Sequence, residues 1–274
     1  EDVAAALQEQ TEKVALHWIR SVRRDETSLA VSGGLFANVA LNGKLQEEFK
    51  DVYVFPHMGD GGLCVGAVEA VVQCHAFPDV PFLGPTWTKK DILNALEAAS
   101  LSFHESRCPE LELAQTIISG EMAARWCGRS AFGPRALGHR SIFIRPDKQE
   151  LVDQLNTRLG RDEFMPFAPM RRTGLGSKTM TSVFRADAML REHASAAVHV
   201  DGTCRTQIVC ESADRGLWDM LERTEAAGLP AVINTSFNQH GEPIVESPED
   251  AVRTFIAAGL DRMQLGPFIV EIPR

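Results

Sequence analysis

The sequence has 274 residues, of which 44% are hydrophobic and 24% charged, a balance that is typical of globular proteins and sufficient for one large or two ordinary domains. This composition excludes a disordered or collagen-like chain, and no apolar run reaches the roughly 18 residues of a membrane-spanning helix. The net charge of −9 argues against non-specific nucleic-acid binding as the main function.

The N-terminal third alternates between helical and extended patterns. Apolar residues four apart at Val14, Trp18 and Val22 predict an amphipathic helix over 2–23. Two short strands follow, each leading through a glycine-rich turn into a helix, which indicates an α/β arrangement. Prolines and a glycine make 77–85 a linker and the best domain boundary. The predicted strands are 28–31 and 52–55, and the predicted helices are 36–49 and 63–72.

Beyond the linker the pattern stays mixed, and we expect an α/β or α+β fold without internal repeats. The predicted helices are 89–99, 111–119, 149–158, 216–227 and 248–257. The predicted strands are 122–126, 141–144, 197–200, 207–209 and 231–233. Six cysteines are scattered without a CxxC pair, which argues against a zinc ribbon. Because no apolar signal segment opens the chain, we expect a cytoplasmic protein with reduced, mostly buried thiols.

Two glycine turns are candidates for ligand binding. The first, SGG, lies between a strand and a helix, where backbone N–H groups and the helix N-terminus favour an anion. Gly33, Gly34 and Asn38 are therefore candidates for a nucleotide contact, and a plain tight turn is the alternative. The second turn contains Asp60, a candidate ligand for a hard cation or a cap for the next helix.

A stronger signal is a basic segment in this acidic chain. Between residues 122 and 146 there are five arginines and no carboxylate. The planar arginine fork binds phosphate through two hydrogen bonds, and the glycines and proline of the segment are what a phosphate-binding loop requires. A solvated run of surface charge is the alternative. The five residues are Arg125, Arg129, Arg135, Arg140 and Arg145.

Three further polar clusters have the same character. Arg161 precedes a rigid Pro–Phe stretch. Thr203, Arg205 and Gln207 alternate, so we expect them on one side of a single strand. The segment NTSFN at 234–238 offers amides and hydroxyls after a buried strand, where α/β proteins place ligands. Turns whose side chains bond their own backbone are the alternative for each cluster.

Taken together, these motifs resemble the O-carbamoyltransferase family of nodulation and antibiotic-modifying enzymes. The resemblance covers essentially the whole chain and rests on four ordered segments, 128–141, 163–169, 199–207 and 234–243. It implies that residues 1–82 are the second half of an actin/Hsp70-type (ASKHA) domain and that residues 83–274 are a YrdC-like α/β domain. We therefore expect a part of a longer protein, whose uncovered apolar face favours dimerisation or partial disorder in 1–82.

The resemblance also implies a reaction. Carbamoyl phosphate and ATP would form carbamoyladenylate in 83–274, and the carbamoyl group would pass to a hydroxyl of a glycan or an antibiotic precursor. A nodulation factor is the acceptor that we favour. The transfer would take place beside a divalent metal ion, of the iron or magnesium type, in the intact protein. We expect no nucleic-acid partner.

The candidate residues divide by chemistry. Phosphate binding and charge stabilisation are expected from five arginines: Arg129, Arg135, Arg140, Arg161 and Arg205. Hydrogen bonds to the carbamoyl group or the nucleotide are expected from Ser141, Thr203, Gln207, Asn234, Ser236 and Asn238, and nucleotide contacts from Gly33, Gly34 and Asn38. Asp60 would be the metal ligand that this chain contributes.

Two other functions are compatible with a YrdC-like domain. The first is a double-stranded-RNA-binding module, which requires a broad basic face and is disfavoured by one narrow basic loop in an acidic chain. The second is a threonylcarbamoyl-AMP synthase-like enzyme, which shares the nucleotide chemistry. It is disfavoured by the ASKHA-like half and by the GPRALG stretch at 133–138.

Overall fold

A computed structural model describes residues 2–73, 77–78, 80–161 and 166–272. The chain divides into two compact units. The first contains Glu1–Gln73 and Thr181–Val183, and the second contains Cys74–Met180 and Phe184–Arg274. In the described parts of both units, no helix combines the length and the apolar character needed to cross a membrane.

The first unit is built on a two-stranded parallel sheet. Its elements are α1 (Asp2–Val22), β1 (Ser28–Val31), α2 (Val39–Glu48), β2 (Asp51–Val54) and α3 (Leu63–Val72). The helix predicted over 36–49 begins only at Val39, because Asn38 is its N-cap and accepts a hydrogen bond from the Leu41 N–H. The residues before this cap, Gly34–Ala37, form a 3-10 turn.

Helix α1 buries a different face from the one that predicted it. Its buried residues are Glu12, Ala15, Leu16 and Ile19, and the three apolar ones pack against residues of β1, α2 and β2. Val14, Trp18 and Val22, whose spacing indicated the helix, are each more than half exposed. The helix therefore carries two apolar stripes, and the second has no cover within the described residues.

The second unit contains the larger part of the chain. Its helices are α4 (Lys89–Ala98), α5 (Pro109–Ser119), α6 (Gln149–Leu159), α7 (Ala188–His193), α8 (Arg215–Ala226) and α9 (Pro248–Ala257). Its strands are β3 (Ser102–Glu105), β4 (Ala123–Trp126), β5 (Arg140–Ile144), β6 (Ala168–Arg171), β7 (Phe184–Arg185), β8 (Thr203–Cys204), β9 (Gln207–Ile208), β10 (Val232–Ser236), β11 (Arg262–Leu265) and β12 (Phe268–Glu271).

Eight of these strands form one mixed sheet in the order β3-β12-β11-β4-β5-β10-β6-β9. The pairs β11–β4 and β6–β9 are parallel and the others antiparallel. Helices cover both faces, and side chains of β5 alternate between them. Ile142 and Ile144 pack with α4, α6 and α9, whereas Phe143 packs with α5 and α8. The predicted mixed α/β class is confirmed.

Two predictions about the segment before α8 are wrong. The strand predicted over 197–200 is absent, because the chain turns there: the Gly202 N–H donates to His199 O, and Gly202 has a φ of +78°. The single strand predicted to carry Thr203, Arg205 and Gln207 is two short strands. Thr203 lies in β8, which pairs with β7, and Gln207 lies in β9, which pairs with β6.

The cysteines are less buried than predicted. Five of them fall within the described residues, all as free thiols, and of these only Cys204 is buried. Cys64 and Cys108 are exposed, so the expectation of mostly buried thiols is wrong for the part of the chain that the structure describes.

The core beneath α9 gives a test of the fold. Phe255 is fully buried, whereas its neighbour Ile256 is 46% exposed on the same helix. Phe255→Ala is expected to lower the free energy of unfolding by about 3–5 kcal/mol, because it removes the transfer energy of the ring and leaves a cavity. Ile256→Ala is the matched control and should cost less than about 1 kcal/mol. Denaturant titration of both variants would contradict this packing if the two losses were equal.

Candidate functional site

The site is a cavity of about 280 Å³ in the second unit, beside the end of β10. Its walls come from the basic loop, from the segments flanking residues 162–165, and from the turns around residues 180 and 205. The lining residues are Pro134, Arg135, Ala136, Arg161, Pro166, Phe167, Met180, Arg205, Asn234, Thr235 and Ser236. Residues 163–165 of the predicted EFMPFAP motif lie outside the described residues.

Two arginines of this cavity, Arg135 and Arg205, have no carboxylate partner among the described residues. The Nε of Arg205 is buried and has no acceptor within the described ranges. Burial, and then the positive charge of Arg135, lower the pKa of Arg205 to about 9, and burial also lowers the pKa of Arg135. A pKa near 9 still leaves the guanidinium charged at neutral pH. The cavity therefore holds two positive charges that the described protein groups do not neutralise.

Arg161, in contrast, is held in place by the end of β10. It donates to Thr235 Oγ1 at 2.7 Å, to Ser236 Oγ at 3.2 Å and to Asn238 Oδ1 at 3.0 Å. Ser236 Oγ also donates to Asn238 Oδ1 at 2.6 Å. The guanidinium lies 5.8 Å from the ring centre of Phe167. These contacts fix the orientation of the Arg161 guanidinium at the C-terminal end of β10, because its planar fork donates to several acceptors at once.

Asn234, which lines the cavity, and Gln207, which lies behind it, form a buried chain of amides. Gln207 Nε2 donates to Leu137 O at 3.0 Å, and Asn234 Nδ2 donates to Gln207 Oε1 at 2.5 Å. The Oδ1 of Asn234 is buried and accepts from no donor among the described residues. An unpaired buried acceptor is uncommon in native proteins and calls for an explanation.

Arg140 lies outside the cavity and supports the basic loop from behind. It is fully buried, and its Nη atoms donate to the carbonyl oxygens of Cys127, Gly128 and His139 at 2.9–3.0 Å. The guanidinium lies 4.2 Å from the Trp126 ring. Burial lowers its pKa to about 10, against the opposing effect of a carboxylate, Glu246. All of these contacts are within the protein, as expected for a structural arginine.

Arg129, Ser141 and Thr203 also lie outside the residues that line the cavity. Arg129 is exposed and donates to the carbonyl oxygens of Leu83 and Gly84. Ser141 Oγ accepts from the Gly138 N–H at 2.9 Å, and Thr203 Oγ1 donates to Asp201 Oδ1 at 2.7 Å. Of the sequence candidates in this unit, the structure brings together Arg135, Arg161, Arg205, Asn234 and Ser236, with Gln207 and Asn238 in contact behind them.

A network that sequence reasoning missed lies under the same loop. Arg125 is 2% exposed and donates to both carboxylate oxygens of Asp214, at 2.7 and 3.2 Å, and to Gly138 O at 3.1 Å. His139 Nε2 lies 3.0 Å from Asp214 Oδ2, and its Nδ1 lies 2.7 Å from Arg129 O. The sequence did carry a signal for this network. Arg125 lies between apolar residues of a predicted buried strand, and a buried arginine requires a charged partner.

The candidate nucleotide and metal residues of the first unit lie in turns and at a helix cap. Gly33 adopts a φ of +112° that favours glycine, and Gly34 follows it. Asn38 caps α2 and exchanges amide hydrogen bonds with Gln8. Asp60 is exposed in a short 3-10 turn. Within the described ranges no three His, Cys, Asp or Glu side chains cluster as a metal site would need, so these residues alone do not fit a resident divalent ion.

The fold and the cavity define a mixed α/β protein with an arginine-lined pocket. Two family models match it: "Carbamoyltransferase N-terminus" over residues 1–69 and "Carbamoyltransferase C-terminus" over residues 114–272. The second model alone covers more than half of the chain. The chain belongs to the carbamoyltransferase family, and the resemblance drawn from its motifs is confirmed.

Similar curated proteins include nodulation protein NolO of Bradyrhizobium diazoefficiens, which is 34% identical over 98% of this chain and 54% of that protein. An uncharacterized protein of Methanocaldococcus jannaschii is 32% identical over 99% of this chain and 49% of its own length. The chain thus spans about half the length of the curated relatives it matches.

A solved structure with a distant likeness is full-length HypF in its phosphate- and nucleotide-bound form. It shares 16% sequence identity, over 60% of this chain and 25% of HypF, with a TM-score of 0.44. A likeness at that level assigns neither a fold family nor a ligand to this chain.

The network under the loop predicts a pH-dependent stability. Burial alone would raise the pKa of Asp214, but hydrogen bonds and charge from His139 and Arg125 outweigh it and hold that pKa well below the usual 3.8. The ionised carboxylate therefore stabilises the fold above about pH 4, and this contribution is lost as the pH falls through the folded-state pKa. Asp214→Asn should cost about 3–5 kcal/mol at neutral pH, since it breaks a largely buried pair.

Denaturant titrations at neutral pH and at about pH 3 check this expectation. The difference between Asp214→Asn and the wild type should shrink at the lower pH. Asparagine can still cap α8, which Asp214 caps by accepting from the Leu217 N–H, so the helix cap is kept. The control is Asp219→Asn on the same helix, where Asp219 pairs with the exposed Arg215. An equal loss at both pH values would contradict the assigned role of the charge.

Proposed function

We propose that the cavity binds the phosphate groups of carbamoyl phosphate and ATP, and that this chain activates the carbamoyl group as carbamoyladenylate. One observation carries the proposal: Arg135 and Arg205 line the same cavity with no carboxylate partner among the described residues. Membership in the carbamoyltransferase family supplies the substrate class.

The electrostatics of the cavity favour a multiply charged anion. Two neighbouring guanidinium groups repel each other in a partly desolvated space, and an anion between them replaces this repulsion with charge-assisted hydrogen bonds. Each guanidinium can grip two phosphate oxygens. Arg161, oriented by Thr235 and Ser236, adds a third cation to the lining of the cavity. Phosphate groups of the two substrates match these charges.

The proposed reaction is an attack on the α-phosphate of ATP. A carbamate oxygen forms a bond to the α-phosphorus while the bond to the bridging oxygen breaks and pyrophosphate leaves. With carbamoyl phosphate as the carbamate source, the balance also consumes one water and releases inorganic phosphate. Negative charge concentrates on the phosphate oxygens in the transition state, and pre-placed arginines stabilise it without reorganising.

Transfer to the acceptor belongs to the longer relatives as a whole, and we propose it only for a protein that includes this chain. There, residues 83–274 would act as the YrdC-like adenylate-forming part and residues 1–82 as part of an ASKHA domain. The acceptor would be a hydroxyl of a glycan, such as a nodulation factor, or of an antibiotic precursor. Any divalent metal would need ligands beyond Asp60.

The cavity counts against an RNA-binding function. Arg135 and Arg205 are half-buried in a space of about 280 Å³, whereas a double-stranded RNA is bound across a broad basic surface. Arg125 and Arg140, which add to the basic character of the sequence, are buried and bound to protein groups. The charges that remain therefore suit a small anion.

Substitution of the unpartnered arginines tests the binding. Arg205→Ala and Arg135→Ala are each expected to weaken the binding of ATP and of carbamoyl phosphate about ten- to a hundredfold, because each removes charge-assisted hydrogen bonds worth roughly 1.5–3 kcal/mol. Arg205→Lys should also be weakened, since a point charge does not reproduce the planar fork. Titration calorimetry on the 274-residue chain measures these affinities.

Arg215→Ala is the matched control. Arg215 is an exposed arginine of α8 that pairs with Glu211 and Asp219, and its removal should leave both affinities unchanged. Unchanged affinity in Arg135→Ala and Arg205→Ala would place the phosphate site elsewhere.

Pyrophosphate release tests the chemistry separately from binding. The 274-residue chain is expected to release pyrophosphate from ATP only when carbamoyl phosphate is present. Arg135→Ala should slow this release by about ten- to a hundredfold, and Arg215→Ala should not change it. We expect no carbamoylation of a glycan by this chain alone. A folded chain that binds both substrates and releases no pyrophosphate would refute adenylate formation by this chain.

A further inference from the structure

His139 lies at the end of a tight turn that follows Arg135 directly. The His139 N–H donates to Ala136 O at 3.1 Å and closes this turn, and Arg135 and Ala136 both line the cavity. His139 itself is 9% exposed and lies outside the cavity lining. It is therefore a buried titratable group beside the site, with no part in the proposed reaction.

Both ring nitrogens of His139 face oxygen atoms that accept hydrogen bonds. Nδ1 lies 2.7 Å from Arg129 O, and Nε2 lies 3.0 Å from Asp214 Oδ2. The carbonyl oxygen has no proton to donate, and neither has the ionised carboxylate of Asp214. A neutral imidazole has one N–H and one lone pair, so it would turn the lone pair towards one of these oxygens. Only the doubly protonated imidazolium donates to both.

The ring of Phe82 gives an independent indication of the same charge. It is stacked on the His139 ring, with the ring centres 3.4 Å apart and the planes inclined by 3°. Two neutral aromatic rings disfavour such a face-to-face arrangement because their quadrupoles repel each other. A cation over the face of an aromatic ring is attracted by the quadrupole instead. The stack therefore suits an imidazolium better than a neutral ring.

Phe82 belongs to a segment that runs beside the basic loop, and we call this segment, residues 80–84, the strap. The Phe132 N–H donates to Pro81 O at 2.7 Å, and the Gly84 N–H donates to the carbonyl oxygen of residue 130 at 3.0 Å. The His139 ring thus joins three parts of the second unit. It contacts the strap through its face, the basic loop through one nitrogen and the N-terminus of α8 through the other.

We propose that His139 is a positioning residue for the cavity, whose imidazolium ties the basic loop to α8 and the strap and thereby holds Arg135 where it binds phosphate. The inference rests on the proposed function, since it assumes that phosphate binds beside Arg135. Loss of one ring proton leaves a lone pair against Arg129 O or against Asp214, and the loop loses one of its supports. Phosphate affinity then falls with the fraction of molecules in which the loop is in place.

The neighbouring charges allow this effect to be assigned to the ring. Burial raises the pKa of the Cys127 thiol, so the thiol stays neutral near pH 7. Burial lowers the pKa of Arg140 to about 10, so this guanidinium stays charged there. The charged and titratable groups that face the ring or its partners, from β4, β5, α5, the N-terminus of α8 and the basic loop, are Arg125, Cys127, Arg140, Glu110, Asp214 and Arg129.

Phosphate titrations of the 274-residue chain from about pH 5.5 to about pH 8.5 test the proposal with His139→Gln, which has an N–H donor and no titratable ring. The ratio of wild-type to variant affinity cancels the ionisation of phosphate itself. Because Arg125 and Arg140 hold the same loop, we expect a ratio of about three to ten while the ring is doubly protonated. The ratio should fall towards one as the ring loses a proton, an event that the ¹⁵N shifts of the ring nitrogens locate.

His104→Gln is the matched control. His104 is exposed and pairs with Glu112, so its removal should leave phosphate affinity unchanged at every pH. His139→Asn, which also lacks a titratable ring, should reproduce the behaviour of His139→Gln and serves if that variant does not fold.

The outcomes separate the role of His139 from the phosphate site. A ratio of one while the ring holds both protons, or a ratio that stays constant after the ring loses one, would overturn the positioning role. So would a ring that carries a single proton throughout the range. A folded wild-type chain that binds neither inorganic phosphate nor ATP would instead overturn the proposed function.

Discussion

The loop that carries Arg135 depends on buried guanidinium groups that bind its backbone. Arg140 donates to the carbonyl oxygens of Cys127, Gly128 and His139, and Arg125 donates to that of Gly138 while it pairs with Asp214. A glycine-rich loop has few side chains with which to hold a single conformation, so these bonds replace the missing packing. A guanidinium suits this task because its several N–H groups reach separate carbonyls from one rigid plane. The hydrogen bonds of Arg125 and Arg140 therefore set the position of the loop, and with it the position of Arg135 in the cavity wall.

The arginines of one basic segment therefore divide into two kinds. Arg140 has protein acceptors for both of its Nη atoms, whereas Arg135 and Arg205 have none among the described residues. The sequence predicted phosphate binding for arginines of both kinds, because residue type and local composition are the same for each. Partners distant in the chain decide between the roles, and Arg205 reaches the cavity from 70 residues beyond Arg135. Charge patterning indicated the candidate segment, and burial and pairing distinguish the arginines that line the cavity from those that bind the backbone of the loop.

The helices and strands show the same division: local sequence pattern predicts some of them, and contacts between distant residues determine the others. Periodicity predicted most helices and, in the large sheet, β4, β5, β9 and β10, since each contains a short apolar run such as Ile142–Ile144 of β5. It missed β6, where Pro169 stands in register with Ile233 of β10; a proline argues against an interior strand because it offers no N–H to the ladder. It placed α1 correctly but selected the exposed stripe of Trp18, since a helix with two apolar stripes has the same period on each.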